Sequence, residues 1–429
     1  MSDPMAFTRR QFLHSGLAVV STASTIPVFL SRSGQVLADT GPTSVLASRS
    51  GVPEDRVLVV VQLSGGNDGL NTVVPFGHDA YYTARPRLAI PRKDVLSLDQ
   101  ARGIGLHPQM TPLKQMIDEG IASVIQGVGY PNPNRSHFAS MDIWHTGDTR
   151  GGKGQGWIGK GLDQVAPNSD SAMISIGREA PLAGHGRITR PVSFENANVF
   201  QWAGSDLHDA MATTYQKLQR EALGGVAAAD DDQAAFVRRT ALNAQVASDK
   251  IRRAVAQGPQ TSFPGGRLSN QLRMVAAMIR AGLPTRVYYV GLGGFDTHSN
   301  QPGRHQGILR EFTAAVAAFY RELRALGEDG RVLTLAFSEF GRRVAENASR
   351  GTDHGAAGPT FLFGNMIRPG VIGNHPNLDR LDERGDVTYN VDFRSIYAAV
   401  LDQWLKCDSR KIFGRPFKAA AVLGTGVRA

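Results

Sequence analysis

From residue 56 onward the chain opens with an apolar run that does not alternate. Residues 56–63, Arg-Val-Leu-Val-Val-Val-Gln-Leu, are almost continuously apolar and rich in β-branched side chains. A strand with one wet face alternates, so this run predicts a strand buried on both faces, as in a parallel sheet. Shorter runs of the same kind recur at 121–127, 172–176, 286–292, 332–337 and 360–363. Residues 268–281 and 308–326 carry apolar positions at helical spacing with Ala-rich faces. Strands alternating with helices predict an α/β fold, a mostly parallel central sheet with helices on both faces. Residues 205–257 break the pattern: Ala, Gln, Arg and Asp dominate, Gly224-Gly225 marks a break, and Asp230-Asp231-Asp232 suits a helix start. Two or three helices are expected there, either as a helical insert capping the scaffold or as ordinary scaffold helices.

Polar residues gather where these strands end. Ser64-Gly65-Gly66-Asn67-Asp68-Gly69 follows the first run, and Asn132-Pro133-Asn134-Arg135-Ser136-His137 the second. Gly293-Gly294-Phe295-Asp296-Thr297-His298 follows 286–292, and Ser338-Glu339-Phe340-Gly341-Arg342 follows 332–337. Thr352-Asp353-His354-Gly355 precedes the last run. Open α/β sheets bind ligands beyond the carboxyl ends of their strands, so these clusters are expected to converge on one edge. Asp and neutral His ligate Zn²⁺, Mn²⁺ and similar ions, which makes Asp68, Asp296, His298, Asp353 and His354 candidate metal ligands. Asp296 with His305 is an alternative pair. Glu339 and Arg342 could instead pair across one helical turn.

Composition removes several alternatives. Of 429 residues, 41% are hydrophobic and 20% charged, enough apolar content for a large core and against wholesale disorder. The single cysteine, Cys407, excludes an intramolecular disulfide framework and a cysteine-rich zinc site. No dinucleotide fingerprint or iron–sulfur cysteine set is present, which disfavours redox chemistry. The formal charge of +9 comes from dispersed Lys and Arg with few aromatics, so a nucleic-acid partner is not expected.

The first residues change the picture of destination. Thr8-Arg9-Arg10-Gln11-Phe12-Leu13 precedes a moderately apolar run, 16–30, followed by Val36-Leu37-Ala38. This resembles a twin-arginine export signal over 1–38, with a linker at 39–54. A second Val45-Leu46-Ala47 leaves the cleavage point open. Losing Arg9, Arg10 and Arg32 with Asp3 lowers the net charge to about +7. No stretch is long and apolar enough for a stable membrane span. The resemblance implies the twin-arginine translocase as a partner and a periplasmic or secreted destination.

Taken together, Leu-Ser-Gly-Gly-Asn-Asp-Gly-Leu-Asn (63–71), Asn-Arg-Ser-His-Phe (134–138), Phe-Asp-Thr-His-Ser-Asn-Gln (295–301), Ser-Glu-Phe-Gly-Arg (338–342) and Gly-Thr-Asp-His-Gly (351–355) resemble one bacterial family, domain of unknown function 1501, across 55–405. That family is in turn similar to the alkaline phosphatase, sulfatase and phosphoglycerate mutase superfamily. The resemblance implies an alkaline-phosphatase-like domain over 55–429 and a site for one or two divalent ions, Zn or Mn. It implies Asp68 as the first-strand ligand, Asp296 with His298 and Asp353 with His354 as the two later pairs, and His375 as a candidate further ligand. Ser136 would be the nucleophile and Arg135 an anion clamp. The expected function is hydrolysis of phosphate or sulfate esters, on a small anionic ester or glycan; the alternative is a non-catalytic binding protein on the same scaffold.

Overall fold

The computed structural model describes residues 55–151, 154–167, 171–196 and 250–424. The expected signal at 1–38 and the linker at 39–54 lie outside the described residues. Of the expected insert at 205–257 only the last residues are described, and 250–256 are helical.

The strands are β1 (Val57–Leu63), β2 (Val73–Val74), β3 (Leu96–Asp99), β4 (Ile104–Leu106), β5 (Ala122–Gly129), β6 (Met173–Ile176), β7 (Val192–Phe194), β8 (Val287–Leu292), β9 (Val332–Phe337), β10 (Gly358–Phe363), β11 (Gly370–Ile372) and β12 (Val391–Asp392). A nine-stranded sheet runs β11-β5-β10-β9-β1-β8-β6-β7, with β12 beside β5. Every pairing in it is parallel except those of β10, which is antiparallel to both β5 and β9. The fold is therefore α/β with a mostly parallel sheet, as the continuous apolar runs predict. The reversal of β10 has a functional consequence. β1, β5, β8 and β9 end on one edge of the sheet, and β10 starts there. Four polar segments that follow strands and one that precedes a strand thus share an edge.

The helices are α1 (Gly69–Thr72), α2 (Asp79–Ala84), α3 (Thr111–Asp118), α4 (His137–Thr146), α5 (Trp157–Val165), α6 (Arg267–Arg280), α7 (Gln301–Leu326), α8 (Phe393–Ala399) and α9 (Ser409–Phe413). Strand β1 shows why both faces are covered. Val57, Val59, Val61 and Leu63 join a core with α3, α6 and α7 residues such as Leu113, Leu272 and Phe312. Leu58 and Val60 point the other way, into a core with Ile143, Trp144, Ile158 and Tyr397 from α4, α5 and α8. Period-two side-chain alternation sends the run into two separate cores.

Two details differ from the sequence expectation. Helix α7 begins at Gln301 rather than 308, because Pro302 sits in the first turn, where its missing N–H costs nothing. A small sheet, β2-β4-β3, was not expected; its strands are only two to four residues long.

Candidate metal centre

One buried arginine ties the strand-end loops together. Arg342, in the loop after β9, donates through Nε to Gly66 O at 2.8 Å and through its terminal nitrogens to Thr352 O at 2.8 Å, Phe295 O at 3.2 Å and Gly65 O. It also reaches Asp296 Oδ1 at 2.6 Å. The loops after β1 and β8 and the segment before β10 are thereby fixed to one guanidinium. Gly65 makes this approach possible. Its φ is +120°, and a Cβ there would collide with the backbone nitrogen of Asp296.

Beside Arg342, three imidazoles gather around Asp296. His298 Nε2 lies 3.1 Å from Asp296 Oδ1, and His354 Nε2 3.4 Å from the same oxygen. The two Nε2 atoms are 2.9 Å apart. His137, the first residue of α4, places Nε2 3.7 Å from Asp296 Oδ2. Ligand atoms of His137, Asp296 and His354 all lie within 4.8 Å of one another, so this trio could hold a metal ion.

The outward-facing nitrogens decide the protonation pattern. His298 Nδ1 meets Asp353 Oδ1 at 3.0 Å, His354 Nδ1 meets Arg135 O at 2.7 Å, and His137 Nδ1 meets Glu339 Oε1 at 2.8 Å. A carbonyl or carboxylate only accepts, so each Nδ1 carries a hydrogen and each ring turns its Nε2 inward. Three imidazole Nε2 atoms and a carboxylate thus face one another, and each ring, when neutral, would offer a lone pair to a cation. Histidine with its far N–H on a carboxylate or carbonyl is the usual support of a metal ligand. Tetrahedral zinc ligands at about 2.0–2.1 Å stand roughly 3.3 Å apart, close to the spacing around Asp296. The donor set fits a divalent cation.

Local electrostatics shifts Asp296, Asp353 and His354. Burial works to raise the Asp296 carboxyl, but the hydrogen bond and charge of Arg342 outweigh it and hold it below the usual carboxylate range. Asp353 is held low in the same way, with His298 overcoming its burial. Burial lowers His354, opposed by its bond to Arg135 O and helped by the charge of Arg342, which favours the neutral ring.

Residues 55–419 match a family model described as "Protein of unknown function (DUF1501)". The chain belongs to that family. No curated protein matches it. Among solved structures it is similar to the lipoteichoic acid synthase LtaP from Listeria monocytogenes, at 9% identity and TM-score 0.35, covering 75% of this chain and 68% of that one. It is similar to the C-terminal periplasmic domain of EptC from Escherichia coli in complex with Zn, at 10% identity and TM-score 0.35, covering 72% and 73%. It is also similar to the PsFucS1 sulfatase from Pseudoalteromonas sp., at 11% identity and TM-score 0.34, covering 92% and 72%. Likenesses this low carry no argument about activity.

In this DUF1501 protein the residues singled out in the sequence fall into three groups. Asp296, His298 and His354 come together, and Asp353 joins them one step out, as the carboxylate that orients His298. Ser136 stands at the N-cap of α4, exposed, its hydroxyl not used for capping. Asp68 and Arg135 point elsewhere. Asp68 is fully buried with Arg85 NH1 2.7 Å from its Oδ2, and Arg85 holds its carboxyl low against the opposing effect of burial. The Arg135 guanidinium is bound to Asp386 and, at 3.3 Å, Asp382; what it gives the cluster is its carbonyl.

His305 is buried against Asn67 and Thr72 rather than Asp296. His375 bonds Pro376 O and lies beside Gly69 and Gln126. No helical pair joins Glu339 and Arg342, since the loop after β9 is not helical; Glu339 goes to His137 and Arg342 to Asp296. From sequence, His137 is a possible ligand or base but more readily a core or surface histidine; the structure turns its Nε2 inward, with Glu339 as its support. The available signal was their place in two of the five strand-end clusters. A groove of about 520 Å³ lined by Phe76, Arg92, Lys93 and Arg102 lies on the small sheet, and its arginines are committed to Asp79 and Asp99.

Proposed function

We propose that this protein is an exported, metal-dependent hydrolase of phosphate or sulfate esters. The observation that carries the proposal is the convergence of three histidine Nε2 atoms on Asp296, each ring held from behind by an acceptor. His137, His298, His354 and Asp296 would hold the ion, and a set so rich in imidazole favours Zn²⁺ over Mn²⁺. When bound, the ion would supply positive charge to neutralise the ester anion and lower the pKa of a nearby hydroxyl.

The chain's own contribution lies at the start of α4. An N-cap serine ordinarily accepts from the first-turn N–H groups. Ser136 does not, so both its hydroxyl and that first turn are available. The first N–H groups of a helix have no helical partner and favour an anion. Ser136 Oγ would form the bond to phosphorus or sulfur as the bond to the ester oxygen breaks, its proton ending on the leaving alkoxide to give the alcohol, and water would then cleave the serine ester and restore the hydroxyl. Phe138, 86% exposed two residues on, offers a ring to the apolar side of the alcohol, as a glycan or aryl ester would present. Export rests on the twin-arginine-like segment at 9–13, with the translocase as the partner in transit and a periplasmic or secreted destination. Among the described residues no helix is long and apolar enough to cross a membrane.

One observation favours a second reading, a non-catalytic binding protein. Arg135, the clamp implied for the ester anion, is spent on Asp382 and Asp386. Zinc-loaded protein assayed on aryl phosphates and aryl sulfates, beside a Ser136→Ala variant, separates the two. Turnover lost in the variant supports the hydrolase; no turnover by the loaded wild type on either ester type supports the binding protein.

A further inference from the structure

The family resemblance leaves one or two ions open and counts Asp68 among the ligands. The geometry around Asp68 argues otherwise. Asp68 and Arg85 both have fully buried side chains, paired at 2.7 Å. Arg85 is itself pinned: Nε donates to Val344 O at 2.8 Å, NH2 to Arg343 O at 2.7 Å and NH1 to Asn71 Oδ1 at 2.7 Å. A guanidinium cannot lose its proton and cannot turn away without orphaning these acceptors. The charge of Asp68 is therefore already balanced by an arginine, without a cation. The ligand atoms of His137, Asp296 and His354 lie within 4.8 Å of one another, and Asp68 is not in that group.

Asp68 still reaches the cluster indirectly. Gln301, the first residue of α7, donates through Nε2 to Asp68 Oδ2. Its Oε1 accepts from Thr297 Oγ1 at 3.0 Å and from Thr352 Oγ1 at 2.6 Å. Thr297 lies between Asp296 and His298, and Thr352 precedes Asp353 and His354. One buried amide, aimed by the Asp68–Arg85 pair, thus fixes the two segments that carry most of the donors relative to each other. We infer that the site takes a single divalent cation, that Asp68 is not one of its ligands, and that Gln301 is a positioning residue for it. This rests on the metal-site reading above.

The test is a zinc titration of the full chain followed by native mass spectrometry and calorimetry. One ion per chain at saturation is expected. Two ions of comparable affinity would overturn the inference while leaving the metal site intact; none would overturn the metal site, and the inference with it. Gln301→Leu, with Thr352→Val removing the same contact from the other side, should still bind one ion but about 10–100-fold more weakly. The thermal midpoint of the metal-free variants serves as the control for folding. Unchanged affinity in both variants would overturn the positioning role.

Discussion

His298 Nε2 and His354 Nε2 face each other at 2.9 Å, with Asp296 Oδ1 at 3.1 and 3.4 Å from them. Asp353 and the Arg135 carbonyl accept from the far sides of the two rings, which aims both Nε2 atoms at each other and at Asp296. Replacing His298 or His354 by Ala should therefore abolish tight zinc binding while leaving the sheet and both cores intact. Metal content after dialysis, beside the far-ultraviolet dichroism of the same samples, checks this.

His137 depends on Glu339, whose Oε1 also accepts from Gly65 N at 2.8 Å. Glu339→Gln keeps the shape but removes the charge that holds the Nδ1 proton. Zinc affinity should fall about 10–100-fold, as for other supports of metal-bound histidine. Competition with a chromogenic chelator reads the change directly.

Removing one member of the buried Asp68–Arg85 pair leaves the other charge uncompensated. Arg85→Met should cost about 3–5 kcal/mol of stability. Urea unfolding of the metal-free protein measures it, and a loss under 1 kcal/mol would contradict the burial of the pair.

Acid should destabilise the protein well above the carboxylate range. Burial pushes His107 and His145 down to about 4 from 6.5. Above pH 6.5 both the folded and unfolded forms are neutral, and nothing changes. Below it the unfolded chain takes up protons that the folded chain refuses, so stability falls as pH drops from about 6.5 toward 4. His145→Gln, neutral throughout, should flatten the slope of unfolding free energy by about 1.4 kcal/mol per pH unit in that window. Urea melts at stepped pH test this.

Gly65 permits the approach of Asp296. Gly65→Ala places a side chain at φ +120° and against the Asp296 backbone, so it should lower both stability and zinc affinity. A far-surface control such as Gly282→Ala, also at positive φ but with open space around it, should lose stability without losing zinc.

Much of this was legible in the chain and some was not, for physical reasons. The uninterrupted run at 56–63 announced a strand buried on both faces, and β1 feeds two cores. The strand-end position of Asp296, His298 and His354 was equally visible, because parallel strands deliver their following loops to one edge. Asp353 was read as a ligand because sequence shows residue type and not direction; in the structure it grips the back of His298. The pairing of Asp68 was not legible either. Its partner Arg85 lies 17 residues on, past α1 and α2, and nothing in the spacing reveals that they meet. His137 could be a ligand from sequence, but residue type alone does not separate an inward-turned ring from a core or surface histidine.

Anomalous diffraction at the zinc edge, from crystals grown with zinc, tests the central claim most directly. A single strong peak bounded by the Nε2 atoms of His137, His298 and His354 and by the Asp296 carboxylate is expected. An absent peak, or one seated on Asp68 instead, would contradict the account.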